Sequence, residues 1–253
     1  MKKIILKIIN HYDYSIKFIN IKKQVRSRLN GINLNVGCGN NRIKGFINLD
    51  YIMHPYYNGD KSNCINYNMR SDPLPFKNNS VDNIYCSHVI EHIETIYVKK
   101  FIEESKRVLK TNGVLRIVCP DTQYLWSKLI NHPDFFSWHR FYDGTTSSAA
   151  KCFIQQVATP RLKLKNYGLE KNLSNYNYDY LVNELKEGLT YDIKSQGEHI
   201  NNWDHMRLSK IGMKLKFSNI VNSKFQSSLR EALRGEDMDL TQPIVALHTE
   251  FVK

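Results

Sequence analysis

Between residues 32 and 119 the chain carries five largely apolar runs of five or six residues each: 32–36, 46–50, 64–68, 82–87 and 114–119. Runs this short suit strands, and strands this apolar are covered on both faces. From about Ile96 to Leu109 the period changes to that of a helix, with Val98, Phe101, Ile102, Val108 and Leu109 on one face. Thr111-Asn112-Gly113 then offers a left-handed cap, and Val114–Cys119 reads as a buried strand closed by Pro120-Asp121. Strand, helix and strand in that order require a crossover, and the expectation is an α/β fold with a doubly wound, mostly parallel sheet.

Ligands of such sheets sit at the carboxyl ends of the strands. Here those ends are Gly37–Asn40, Asp50, Asn68-Met69, Ser87-His88 and Pro120-Asp121. Gly37 and Gly39 can take positive φ and, without a Cβ, let a ligand lie against the backbone. Asp50 ends the next strand, where a carboxylate can accept from a ribose diol. Asn41 and Arg42 fill the later positions of a three-glycine dinucleotide fingerprint, and only ten residues separate Gly39 from Asp50 where that fingerprint needs about 20. No glycine-rich loop ending in Gly-Lys-Ser/Thr is present to hold a triphosphate. A ligand with a ribose but no pyrophosphate fits best.

Beyond Asp121 the alternation stops. Residues 122–203 are rich in aromatics, including Tyr124, Trp126, Phe135, Phe136, Trp138, Phe141 and Tyr142, and hold helix-like pieces without a convincing parallel strand. An excursion this long is expected to be a lid or subdomain. Regular structure should resume with a helix near 205–216, a strand near 217–222, a polar helical segment around 226–234 and a last strand over 244–252. The expected organisation is an arm at 1–30, a nucleoside-binding domain from 31–121 and 204–253, and an inserted lid at 122–203.

Net charge is +12, and residues 1–30 carry +7 of it. That arm reads as one or two basic amphipathic helices, either packing on the domain or meeting an anionic membrane surface or partner. The remainder is only mildly basic, which argues against nucleic acid as the main partner. The opening MKKIILKIIN imitates a signal peptide, but its apolar run is broken by Lys7 and no small-residue cleavage site follows. No run of about 18 apolar residues exists. The five cysteines form no Cys-x-x-Cys pair, as in a reducing compartment. The expected location is cytoplasmic, at the inner face of the membrane if the arm binds lipid.

The set LNVGCGN (34–40), INLD (47–50), DPLPFKNNSVDNIYCSHVIEHI (72–93) and SKRVLKTNGVLRIVCPD (105–121) resembles class I S-adenosylmethionine-dependent methyltransferases, and most the methyltransferase type 11 group associated with bacterial surface-polysaccharide (capsule) pathways. The resemblance implies a seven-stranded Rossmann-like sheet, with the tail as its closing hairpin, and S-adenosylmethionine as cofactor. It puts Asn35, Val36, Gly37, Cys38, Gly39 and Asn40 against the cofactor's amino-acid portion, Asp50 on the ribose and Tyr51 beside the adenine. Asn68 and Met69 would meet the adenine edge, and Ser87 and His88 the methionine end. Asn35 stands where such enzymes usually carry an acidic residue, and the first crossover is short enough to leave helix A only a turn or two.

Methyl transfer from a sulfonium is an in-line displacement in which the protein mainly aligns the partners. His88 is the candidate general base, and a cap or packing role is its plainer reading. The sequence commits no metal. His88, Glu91 and His92 at i, i+3 and i+4 could ligate a divalent cation, with His139 or His199 supplying a further ligand. The plainer reading gives Glu91 to the helix dipole and His92 to packing. Substrate contacts are expected from His139, Arg140, Tyr142, His199, Trp203 and Arg207, with the two arginines suited to a phosphate and the rings to a sugar. These readings favour methylation of an oxygen on a sugar-type or phosphorylated small molecule, and the resemblance extends this to capsule precursors, a phosphoramidate among them. Two rivals remain open: a nucleic-acid methyltransferase using the basic arm, and a non-catalytic subunit with the same fold.

Overall fold

The computed structural model describes residues 31–55, 57–163, 177–192, 197–234 and 237–253. The arm at 1–30, with its membrane and nucleic-acid readings, lies outside them. Seven strands form one sheet: β1 Asn33–Val36, β2 Ile47–Asp50, β3 Cys64–Asn66, β4 Val81–Ser87, β5 Leu109–Pro120, β6 Asn219–Asn222 and β7 Ala246–Val252. Their order is β3-β2-β1-β4-β5-β7-β6. The first five run parallel, and β7 is antiparallel to both β5 and β6. This is the doubly wound, seven-stranded fold expected from the sequence.

The α-helices are α1 Thr95–Val108, α2 Thr122–Asn131, α3 Thr146–Val157, α4 Tyr178–Lys186 and α5 His205–Lys214. Helix α1 buries Val98, Phe101, Ile102 and Val108 in the main core, against Leu34, Leu49, Ile84, Leu115 and Ile117 of the sheet. The opposite face of the sheet is closed by Ile43, Phe46, Leu233 and Met238 against Tyr85, Val114 and Val118. The β1–β2 crossover holds turns and no helix. With so few residues between Gly39 and β2, helix A is lost altogether.

Three expected boundaries move. The helix ends at Val108, because Leu109 turns extended to pair with Val81 of β4. Asn112 alone adopts the left-handed conformation, at φ 62°, as a kink within β5 rather than as a helix cap. The polar segment around 226–234 is a one-turn 3-10 helix, Glu231–Leu233, preceded by a bridge between Lys224 and Ser227.

The excursion after β5 builds its own core from Leu125, Leu129, Phe136, Phe153, Ile154, Val157, Leu181 and Leu185. Its helices are capped by side chains: Asp121 accepts from Tyr124 N, Thr145 from Ser148 N and Asn177 from Asp179 N. Each such cap contributes about 1 kcal/mol. The chain returns through Asn201–Asp204, where Trp203 bridges to Asp121 and Asp204 caps α5 through Arg207 N. Among the described residues no helix is long and apolar enough to cross a membrane.

Candidate active site

Strand β1 ends in the glycine turn, and β2 holds it. Gly37 N and Cys38 N both donate to Leu49 O, at 2.8 and 3.2 Å. Gly37 has φ 70° and Gly39 φ 48°. Asp50 closes the arrangement by accepting from Gly39 N and from Tyr51 N, each at 2.7 Å. Each carboxylate oxygen thus accepts one backbone bond and keeps further lone pairs for a ligand. A Cβ on Gly39 would meet nothing within 4 Å, so this backbone faces open space.

The turn opens into a cleft of about 310 Å³ that continues past Asn68 and Met69 to His88 and His92 at the ends of the central strands. Tyr191, Asp192, Gly197, Glu198 and Ile200 of the excursion form the remaining wall. His88 leaves β4 with φ 53°, an uncommon conformation for a residue with a Cβ, and its backbone N donates to Val118 O at 2.8 Å. Its Nδ1 lies 3.1 Å from Glu91 Oε1, and its Nε2 is buried without a hydrogen-bond partner among the described residues.

Glu91 sits in a 3-10 turn, Ile90–His92, and is 1 % exposed. A carboxylate expected near a helix terminus is instead inside the protein. Its one close side-chain partner among the described residues is His88 Nδ1, 3.1 Å from Oε1. Burial pushes its pKa up, but the rings of His88, His92 and His199 outweigh this and bring it down to about 2. For His88, burial works downward while Glu91 and the Thr241 backbone pull the other way, and the net shift is upward.

His199 comes from the far end of the excursion, and one of its ring nitrogens, one of His92 and a Glu91 oxygen lie within 4.8 Å of one another. The return segment is clamped onto this turn. Ile200 N and Asn201 N donate to Glu91 O at 2.9 and 3.0 Å, Asn201 Nδ2 donates to Ile93 O at 3.0 Å, and Trp203 Nε1 donates to Ile90 O at 3.1 Å.

Of the residues expected to hold a cofactor, Val36, Gly37, Gly39, Asp50, Tyr51, Asn68, Met69 and His88 line the cleft. Asn35, Cys38, Asn40 and Ser87 do not. Asn35 is buried, with Nδ2 donating to Asn48 Oδ1 at 2.9 Å and Asn41 O at 2.8 Å, so it braces the turn from behind. Cys38 is buried with its Sγ 3.6 Å from that of Cys64, and both thiols are free.

The expected substrate residues scatter. His139 packs edge-on between Trp138 and Phe141, Arg140 lies over the Phe141 ring and Tyr142 Oη donates to Asp134, all away from the cleft. Trp203 belongs to the main core. Arg207 is spent on Asn202, Asn183 and Asp204. Only His199 reaches the site. Sequence reasoning passed over His54, Tyr57, Tyr67, Arg70 and Tyr191, which also line the cleft. Arg70 directly follows Met69, which is the one local signal, whereas Tyr191 arrives from 120 residues away and stacks on the Arg70 guanidinium at 3.7 Å.

Residues 34–117, about a third of the chain, match the family model described as a methyltransferase domain. A domain of that kind, set in a β3-β2-β1-β4-β5-β7-β6 sheet with a nucleoside cleft at its strand ends, makes the protein an S-adenosylmethionine-dependent methyltransferase. Its cofactor is S-adenosylmethionine. Nothing among curated proteins matches the chain. Solved structures that resemble it include S-adenosylmethionine-dependent methyltransferases from three organisms. The one from Thermotoga maritima is 12% identical, with 100% of both chains covered and a TM-score of 0.41. That from Archaeoglobus fulgidus is 10% identical, covering 95% of this chain and 94% of the other at 0.42. That from Mesorhizobium loti is 10% identical, covering 94% and 97% at 0.42. At this distance none of them says what this chain acts on.

The residues present fit the cofactor. Gly39 leaves room where a side chain would intrude, Asp50 keeps acceptor capacity for a diol, and Tyr51 and Met69 offer apolar surface to a base.

Proposed function

We propose that the protein methylates an oxygen of a sugar-type or phosphorylated small molecule, of the kind assembled into bacterial surface polysaccharide. The observation that carries this reading is the single cleft joining the glycine turn and Asp50 at one end to His88 and His92 at the other. Cofactor and acceptor would share about 310 Å³ walled by the excursion, room for a small acceptor and not for a duplex. Bound there, S-adenosylmethionine supplies a sulfonium methyl. Gly37, Gly39 and Asp50 hold the nucleoside, and Tyr191, Gly197, Glu198 and Ile200 wall it from water. His88 is assigned to take the acceptor's proton, with Glu91 3.1 Å from Nδ1 to orient the ring. Arg70 lines the cleft, held there by Glu94 at 2.8 Å, by donating to His92 O at 2.8 Å and by Tyr191. Its remaining guanidinium nitrogen is the cationic donor assigned to a phosphate.

Calorimetry with S-adenosylhomocysteine tests the first half: binding to the wild type and its loss in Asp50→Ala are expected, and absence of binding to the wild type would sink the reading. Transfer of labelled methyl to a panel of sugar phosphates and nucleotide sugars tests the second. His88→Ala should lower kcat by about 10²–10⁴-fold with little change in cofactor affinity, the usual worth of a general base. Unchanged turnover would remove His88 from the chemistry.

A further inference from the structure

The cluster Glu91, His92 and His199 has a feature that methyl transfer alone does not use. His92 Nδ1 lies 2.9 Å from the carbonyl oxygen of Glu198, and His199 Nδ1 lies 2.5 Å from that of Gln156. A carbonyl oxygen only accepts, so each Nδ1 carries the hydrogen, and in the neutral ring each Nε2 is left as a lone pair. Both rings lie beside the buried Glu91 carboxylate, and one donor atom from each of the three residues lies within 4.8 Å of the others.

Two imidazoles and a carboxylate set this close together, with each Nδ1 tied to a backbone carbonyl, are a donor set for a metal ion. We propose that Glu91, His92 and His199 form a binding site for a divalent first-row transition-metal ion at the wall of the cleft. Nδ1–H bonded to a backbone carbonyl is the outer contact that orients a ligating imidazole and sharpens its Nε2. Two imidazoles and one carboxylate suit zinc, manganese or iron(II) better than calcium or magnesium, which prefer all-oxygen sites. Metal–ligand bonds of about 2.0–2.2 Å in a tetrahedral site put ligand atoms about 3.4 Å apart. The donors, within 4.8 Å of one another, would draw in by side-chain rotation to close on an ion.

The backbone is already built for this. The return segment carrying His199 is pinned to the turn carrying Glu91 and His92 through Glu91 O, and His88 holds the other side of the carboxylate. Glu91 is fully buried and His92 and His199 partly so, and His92 lines the cleft, which gives access from that side. Three protein donors leave coordination positions open, and His92 is the donor that also lines the cleft. On the proposed methyl-transfer reading, the ion would hold an anionic or hydroxyl oxygen of the acceptor beside His88.

The test is metal binding itself. Tag-free protein is stripped with a chelator, and Zn²⁺, Mn²⁺ and Co²⁺ are titrated by calorimetry, with the visible absorption of Co²⁺ reporting its ligands. One equivalent should bind, with Co²⁺ bands of nitrogen–oxygen ligation. Affinity should fall at least 100-fold in Glu91→Gln and in His199→Asn, and stay within twofold in His139→Asn, whose ring lies in the excursion away from the cluster. Glu91→Gln removes a buried charge, so if it does not fold the half-exposed His199→Asn carries the test alone. No stoichiometric binding, or equal affinity in wild type and His199→Asn, overturns the site. S-adenosylhomocysteine affinity of the stripped protein is read in parallel. If it is intact while no metal binds, only the metal inference fails; if it is absent while metal binds, the methyl-transfer reading fails and the site stands.

Discussion

Two glycines two residues apart do different work. A Cβ on Gly37 would fall 2.1 Å from Val89 Cγ2, while one on Gly39 would meet no protein atom within 4 Å. Gly37→Ala should therefore cost stability, about 1–3 kcal/mol from overpacking together with strain at φ 70°. Gly39→Ala pays only the smaller strain of its φ 48°, about 1 kcal/mol, but puts a methyl where the ligand lies. Urea unfolding should separate the two variants in that order. Calorimetry should reverse it, with S-adenosylhomocysteine affinity down at least tenfold in Gly39→Ala; an unaltered affinity there would mean that the cofactor does not lie on this turn. The sequence reads both glycines alike, because the residue that distinguishes them, Val89, arrives from the far end of β4. Asn35 makes the same point in reverse. As a position in a motif it faces a cofactor, but as a side chain it is used up on Asn48 and Asn41.

At the scale of elements, β5 is the strand on which most depends, and Arg116 is the cause. It sits fully buried at the middle of the strand, opposite Glu250 in the β7 register. Its guanidinium donates to Glu250 Oε1 at 2.7 Å, to Asp239 Oδ2 at 2.5 Å and to the carbonyls of Lys224 and Ser227. One side chain thus joins the parallel half of the sheet, the antiparallel hairpin and the loop between them. Arg116→Ala would leave two buried carboxylates without their cation, and a loss of about 3–5 kcal/mol in urea unfolding is expected. A loss under about 1 kcal/mol would mean that water or rearrangement replaces the cation. In the sequence VLRIVCP this arginine only interrupts an apolar run, and nothing local names partners more than 100 residues away. The strands themselves were legible, because apolar runs between turn residues report burial on both faces. Their ends were not: Leu109 leaves its helix to pair with Val81, a long-range preference that overrides a helical period and an apparent Asn-Gly cap. The excursion was legible as an excursion, but its aromatic string Trp138 to Tyr142 turned out to pack on itself, since a ring written in a sequence does not say which neighbour it covers.

For the molecule as a whole, the same buried cluster makes stability depend on pH through His248. This residue of β7 is 4 % exposed, with Nε2 3.6 Å from Asp239 Oδ2. Burial lowers its pKa, Arg116 and His88 lower it further, and Asp239 and Glu250 pull back only in part, leaving it at about 4. The unfolded chain takes the proton near 6.5 and the folded protein only near 4, so between these values the unfolded state binds more protons. The contribution is fully present above about pH 6.5 and is lost as pH falls towards 4, by at most about 1.4 kcal/mol per pH unit. Other groups act in different windows. Glu91, held at about 2, loses its contribution below the ordinary carboxylate range, and His88, shifted upward, loses its own as pH rises above 6.5. Urea midpoints at pH 7, 6 and 5 should therefore fall more steeply in the wild type than in His248→Gln, which cannot take the proton. The two lines should converge towards the acid side and stay parallel above neutrality. Parallel lines throughout would mean that His248 is protonated, or reachable by water, in the folded state, and that the Arg116 cluster is looser than its distances imply.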